Sequence, residues 1–153
     1  MRYRLLCVDR VRERYVAAAV DDFVQRLRRH EGMDIVEVPA ARGSDPDRIV
    51  RIEGEDLLGR IDRAEHVWLL ERTGAALSSI ELAERLSALA NSGISRLTVV
   101  VAGAFGASAA LIERADFLWS LSRLTLLHEW ARALAIEQLY RATKIARNEP
   151  YHH

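Results

Sequence analysis

The chain has 153 residues, half of them apolar and 29% charged, with 22 Lys and Arg balanced by 22 Asp and Glu. At about 100 to 200 residues per domain that length makes a single domain, 1–153, with a sizeable core, and the balanced charge excludes a disordered tail, a fibre or a polybasic nucleic-acid arm. The longest stretch without a formal charge, Leu97 to Ile112, is 16 residues, short of the roughly 20 that cross a bilayer, so no membrane span is expected.

Strand and helix patterns alternate along the chain. Tyr3 to Val8 is a strand-like apolar run. It holds the one cysteine, Cys7, as a core residue, and the chain's start lacks a signal-peptide pattern, so a reducing, cytoplasmic setting is expected. From about Arg12 to His30, Val16, Val20, Phe23, Val24 and Leu27 recur at helical spacing, and Gly32 ends the helix. Asp34 to Pro39 alternates like a strand. Ser44 or Asp45 then caps a helix that has Pro46 at its first position, tolerates Gly54 and runs to about Arg63. His66 to Leu70 is a third strand and Glu71 to Leu77 reads as the loop after it. Ser78 or Ser79 caps a helix bearing Leu82, Leu86 and Leu89, which ends at Asn91 to Gly93. Leu97 to Ala102, rich in β-branched residues, reads as a strand buried on both faces. A Gly103-Ala104-Phe105-Gly106 turn, a short helix from Ser108 to Arg114 and an apolar segment from Phe117 to Leu121 follow. A last helix from about Glu129 to Arg147 has Ala131, Ala135, Leu139 and Ala142 on one stripe.

This order predicts an α/β fold, a mostly parallel sheet flanked by helices on both faces. Ligands in such folds bind beyond the carboxyl ends of the strands, which directs attention to the loops after Leu70, Ala102 and Leu121. The glycines at 103 and 106 suit a close backbone approach to a ligand, although a four-residue Gly-x-x-Gly is equally a plain turn. No Walker A sequence, zinc spacing or Gly-x-Ser-x-Gly elbow occurs, which removes the NTPase, zinc and serine-hydrolase classes. His30 and His66 read as solvated, His128 stands at the start of the last helix with Arg132 one turn on, and His152 and His153 end the chain.

The segment Phe117 to His153 carries Ser120-Leu121-Ser122, Leu124-Thr125-Leu126, His128, Arg132, Glu137-Gln138-Leu139-Tyr140-Arg141-Ala142 and Pro150-Tyr151-His152. That combination resembles the C-terminal signature of the RlmH family, small bacterial methyltransferases of the SPOUT superfamily. Similarity extends more loosely to the stretch from Leu69 to Leu86, and the total length matches. The resemblance implies a SPOUT domain with a deep C-terminal trefoil knot, working as a homodimer in the cytoplasm. It also implies methyl transfer from S-adenosylmethionine, without a metal, to N3 of a pseudouridine in helix 69 of the large-subunit (23S) ribosomal RNA within the assembled ribosome. With no net charge, such an enzyme would read the ribosome's shape through a composite dimer surface rather than a broad basic patch.

By position, the resemblance places the methyl donor on Leu70, Gly103 and the loop Leu121, Ser122, Arg123, Leu124, Thr125, Leu126 and Leu127. His128, Arg132, Tyr151 and His152 become the catalytic candidates, with Arg141 as a further cation. Architectural roles compete for each: His128 as a helix cap, Arg132 paired with Glu129, Arg141 with Glu137, Tyr151 as a docked aromatic. The sequence departs from the family in three places. Ala102-Gly103-Ala104-Phe105-Gly106 replaces Gly-Gly-Pro-Glu-Gly, Leu126-Leu127-His128 replaces Leu-Pro-His, and Glu71 replaces an aspartate. A looser turn with altered donor binding is expected. The alternatives are a catalytically silent ribosome-binding protein and a Rossmann-like nucleotide binder unrelated to RNA.

Overall fold

Five apolar runs with β-branched cores can bury both of their faces only if helices cover them, and the computed structural model, which describes residues 1–151, has that architecture. The strands are β1 (Arg2–Val8), β2 (Met33–Val38), β3 (His66–Ala76), β4 (Arg96–Val101) and β5 (Phe117–Ser120). They pair in parallel in the order β2-β1-β4-β3-β5. The helices between and after them are α1 (Arg14–Arg28), α2 (Pro46–Leu58), α3 (Ser79–Asn91), α4 (Ala109–Arg114) and α5 (His128–Ala146).

The period of two along each strand sorts side chains onto two cores. Tyr3, Leu5 and Cys7 of β1 and Leu97, Val99 and Val101 of β4 face α1, α3 and α5. Leu6, Val8, Val67, Leu69 and Val100 face Leu57 of α2 and Leu111 of α4. Cys7 is fully buried, as its neighbours predict. Helix starts follow the sequence signals: Asp45 accepts the Asp47 N–H ahead of Pro46, and Ser78 with Glu81 forms a capping box. His30 and His66 are half-buried rather than solvated, and His66 Nε2 accepts from Trp68 Nε1 at 3.2 Å.

Two features depart from the expected pattern. The segment after Leu70, read as loop, is a continuation of β3: pairing with β5 stops at Leu70↔Trp119, skips four residues and resumes at Ala75↔Trp119. The skipped residues Glu71 to Gly74 form a bulge pressed against β5, so closely that a Cβ on Gly74 would overlap the Leu118 carbonyl. The Ser120 hydroxyl lies 3.1 Å from both the Arg72 and Ser122 carbonyl oxygens and shares its proton between them. Polar, glycine-containing composition masked a strand whose ladder is interrupted rather than finished.

The second is the fixation of α5. Arg132 is buried and does not meet Glu129. Its guanidinium donates to Glu37 Oε1 at 2.7 Å, to the Asp9 carbonyl at 2.7 Å and to the Val8 carbonyl at 3.2 Å. Glu129 instead accepts the backbone N–H groups of Arg12 and Glu13 at 3.1 and 3.2 Å, satisfying donors at the start of α1, where Glu13 offers no side-chain cap. Asp9 holds a left-handed conformation, φ 61°, which an L-residue adopts at a cost and which these bonds maintain. Replacing Arg132 by Ala strands two buried carbonyls, and a loss of about 3 kcal/mol is expected in urea unfolding; a loss under about 0.5 kcal/mol would contradict this account of α5.

Candidate active site

Three segments meet at the carboxyl end of the sheet: the Glu71–Gly74 bulge within β3, the turn from Ala102 to Ala107 after β4, and the loop 121–127 leading from β5 into α5. Between them opens a cleft of about 470 Å³, within the range of about 300–1,000 Å³ typical of small-ligand sites. Leu70, Trp119, Leu121 and Leu126 supply apolar wall; Ser122, Thr125, Glu71, Arg72 and His128 supply the polar groups.

The β4–α4 turn is closed despite its missing proline. Gly106 N–H donates to the Gly103 carbonyl at 3.1 Å and the two residues form an antiparallel bridge. Gly106 has φ 89°, a conformation that glycine adopts freely. Phe105, the bulky departure, stands 56% exposed at the cleft.

Gly103 lines the cleft, and the space its missing side chain leaves is filled from within the protein. A Cβ there would overlap Glu53 Oε2 and lie 3.0 Å from Glu53 Cδ. Glu53 projects from α2, is 5% exposed, and its Oε1 accepts the Ala41 N–H at 3.0 Å while Oε2 is buried without a partner. Burial pushes this carboxyl above the usual range, against the opposing pull of the Ala41 N–H and His128. Nothing in the sequence singles out Glu53, since a carboxylate in an amphipathic helix reads as a solvated side chain; its burial depends on the turn that crosses it.

Of the donor-site residues expected from sequence, Leu70, Gly103, Leu121, Ser122, Leu124, Thr125 and Leu126 line the cleft; Arg123 and Leu127 do not. Ser122 Oγ accepts the Leu124 N–H at 3.0 Å, shaping the loop. Of the catalytic candidates among the described residues, His128 alone lines the cleft; it is the first residue of α5 rather than its cap. Close by, the Arg10 N–H and the Arg12 guanidinium hold the Asp9 carboxyl below its ordinary range, with His128 adding to that effect.

Arg132 is committed to the grip described above. Tyr151 donates to Glu137 Oε1 at 3.1 Å and packs edge-on to Tyr140, beneath the Arg141 guanidinium. Burial, then the Glu137 carboxylate, raise its phenol above the usual value, which keeps the proton on. Arg141 pairs with Glu137 at 2.6 Å, as the architectural alternative has it. His152, and with it His153, lies outside the described residues.

The whole chain is similar to known proteins. A family model described as a predicted SPOUT methyltransferase matches residues 1–152. Among relatives, a protein of Pelotomaculum thermopropionicum is 39% identical over 97% of both chains. One of Gloeobacter violaceus is 37% identical over all of this chain and 99% of its own, and one of Halothermothrix orenii is 32% identical over 99% of both. All three are named ribosomal RNA large subunit methyltransferase H.

The packing of Glu53 against Gly103 makes the two positions interdependent. Gly103→Ala is expected to cost about 1–3 kcal/mol by overpacking, and adding Glu53→Ala to cost less than the sum of the single changes in a double-mutant cycle read by urea unfolding. Simple additivity would mean that the new Cβ does not meet the carboxylate.

Proposed function

Because this chain belongs to the SPOUT methyltransferase family, we propose that it transfers the methyl group of S-adenosylmethionine to ribosomal RNA. The acceptor we assign is N3 of a pseudouridine in helix 69 of the large subunit, offered by the assembled ribosome in the cytoplasm, and the chain acts as one SPOUT domain over 1–153. One observation carries this reading: relatives named for ribosomal RNA methylation align over essentially the full length, and the loops such a family would use for its donor converge on one cleft.

The cleft fits the donor in kind. Apolar walls suit the adenine and the thioether portion, loop backbone groups suit the polar edges, and Glu71 and Arg72 offer one charge of each sign to a molecule carrying a sulfonium, an ammonium and a carboxylate. The donor supplies an activated methyl group: the new N–CH₃ bond forms as the old C–S bond breaks, with the electron pair left on sulfur and the imide proton leaving N3. The chain's own contribution is alignment and a place for that proton. His128, the titratable imidazole on the cleft wall, is the proposed acceptor. The trefoil knot is part of the same reading and is supported by family membership alone.

Transfer of labelled methyl groups to ribosomes lacking the modification, given as whole particles and as separated subunits, tests the function. Incorporation at one pseudouridine of whole particles is the expected result; none, from folded protein, would favour a silent ribosome-binding protein. His128→Ala should lower turnover by roughly 10²–10⁴-fold with donor affinity within about threefold, and an unchanged rate would remove the imidazole from the chemistry.

The homodimer has a proposed surface. Leu127, which precedes α5, and Trp130 and Leu134 on it recur at helical spacing and are exposed, as is Leu124 in the preceding loop, and Tyr15 of α1 packs at a tilt against Trp130 with ring centroids 5.9 Å apart. A second copy covering this face predicts a dimer in sedimentation at micromolar concentration that Trp130→Glu converts to monomer. A wild-type monomer, or a variant that stays dimeric, would reject that surface.

A further inference from the structure

Glu53 takes no part in the chemistry proposed above and lies behind the cleft wall rather than on it. Its carboxyl group is nonetheless the one acidic group whose buried oxygen has no hydrogen-bond partner among the described residues. Buried polar atoms are nearly always satisfied, so an exception calls for an account, and the surroundings of this one supply it. One oxygen holds the Ala41 N–H of the β2–α2 loop; the other occupies the space where any residue but glycine at 103 would put its Cβ.

We propose that Glu53 is a positioning residue for the methyl-donor site, its carboxyl group wedged between Ala41 and Gly103 so that the β4–α4 turn stands at a fixed height in the cleft wall. The proposal rests on the reading of that cleft as the donor site. α2 is anchored by Ile49 and Leu57 in the core, so the wedge has a rigid base, and the turn it supports carries the backbone that a donor would touch.

The charged groups facing the wedge are Asp56 on its own helix, Asp9 at the end of β1 and His128 at the start of α5; the Ala41 N–H comes from the β2–α2 loop, and the 102–107 turn brings no ionisable group. Burial, with Asp9 and Asp56, favours the uncharged acid, while the Ala41 N–H and His128 oppose this. An acid whose value is raised on folding stabilises fully below its ordinary value, and that contribution is lost as pH rises through the raised value. Ionisation then places an unpartnered charge against Gly103, and the turn yields.

The test uses the full chain with Glu53→Gln, the uncharged isostere, and Glu53→Ala. Two quantities are followed from about pH 4.5, the ordinary value of the carboxyl group, to about pH 8.5: exchange of the Gly106 amide that closes the turn, corrected for its intrinsic rate, and the Kd for S-adenosylmethionine. In the wild type both should rise by about tenfold across the interval. Glu53→Gln should match the wild type at the acid end within about threefold and stay flat, and Glu53→Ala should show both raised by about tenfold throughout. Parallel profiles for wild type and Glu53→Gln overturn the proposal. So does a Glu53→Ala protein of lower Tm whose Gly106 exchange and donor affinity are unchanged. A wild type that binds no donor overturns the methyltransferase reading instead, and Gly106 exchange then decides the wedge by itself.

Discussion

A single buried guanidinium ties the last helix of this protein to the end of its first strand. Arg132 spans from α5 to the Val8 and Asp9 carbonyls and to Glu37 of β2, and a cation so deeply placed is tolerable only because each contact is a charge-assisted bond. Its position dictates the rest. With α5 fixed one turn beyond its start, His128 must face the cleft, and the seven residues from Leu121 to Leu127 must bridge from β5 to that point. Glu129 of the same turn meets the start of α1. The cleft is therefore bounded by a helix whose orientation is set outside the cleft.

The walls built on this frame owe little to charged side chains. Leu70, Leu121 and Leu126 are apolar, and the turn at Gly103 presents backbone. A methyl donor already activated at sulfur asks for alignment rather than for strong acids and bases, so a cleft of this composition suits the chemistry proposed for it. Charged side chains are kept to the rim, at Glu71 and Arg72, and the carboxyl groups of Asp9 and Glu53 take no part in the lining.

Sequence periodicity locates every helix and strand because the sheet is parallel and covered on both faces, so that its strands are continuous apolar runs and its helices have one clear stripe. It does not reveal that β3 resumes after Leu70, since an interrupted ladder leaves no alternation to detect. The resemblance directs attention to loops that meet at one cleft, and seven of the nine positions it suggests for the donor line that cleft. What it leaves undetermined is partnership. Arg132 was as compatible with Glu129, one turn away, as with Glu37, which is 95 residues distant. Gly103 looks like a site of ligand approach, whereas its missing side chain makes room for Glu53 on the inner side. Both facts depend on contacts between elements remote in sequence, which no local pattern encodes.

The junction between β1 and α1 has a history imposed by synthesis. Val8 to Glu13 leaves the ribosome early, yet the groups that satisfy its backbone, Glu129 and Arg132, lie 116 to 124 residues later. At about 5–20 residues per second this is a wait of roughly 6–25 s. During that time the Val8 and Asp9 carbonyls lack the guanidinium that later holds them, and the Arg12 and Glu13 N–H groups lack the Glu129 carboxylate. Val8 to Glu13 thus acquires its final conformation only once α5 has been made, and a nascent chain stopped before α5 would carry a complete first strand with an unfinished exit.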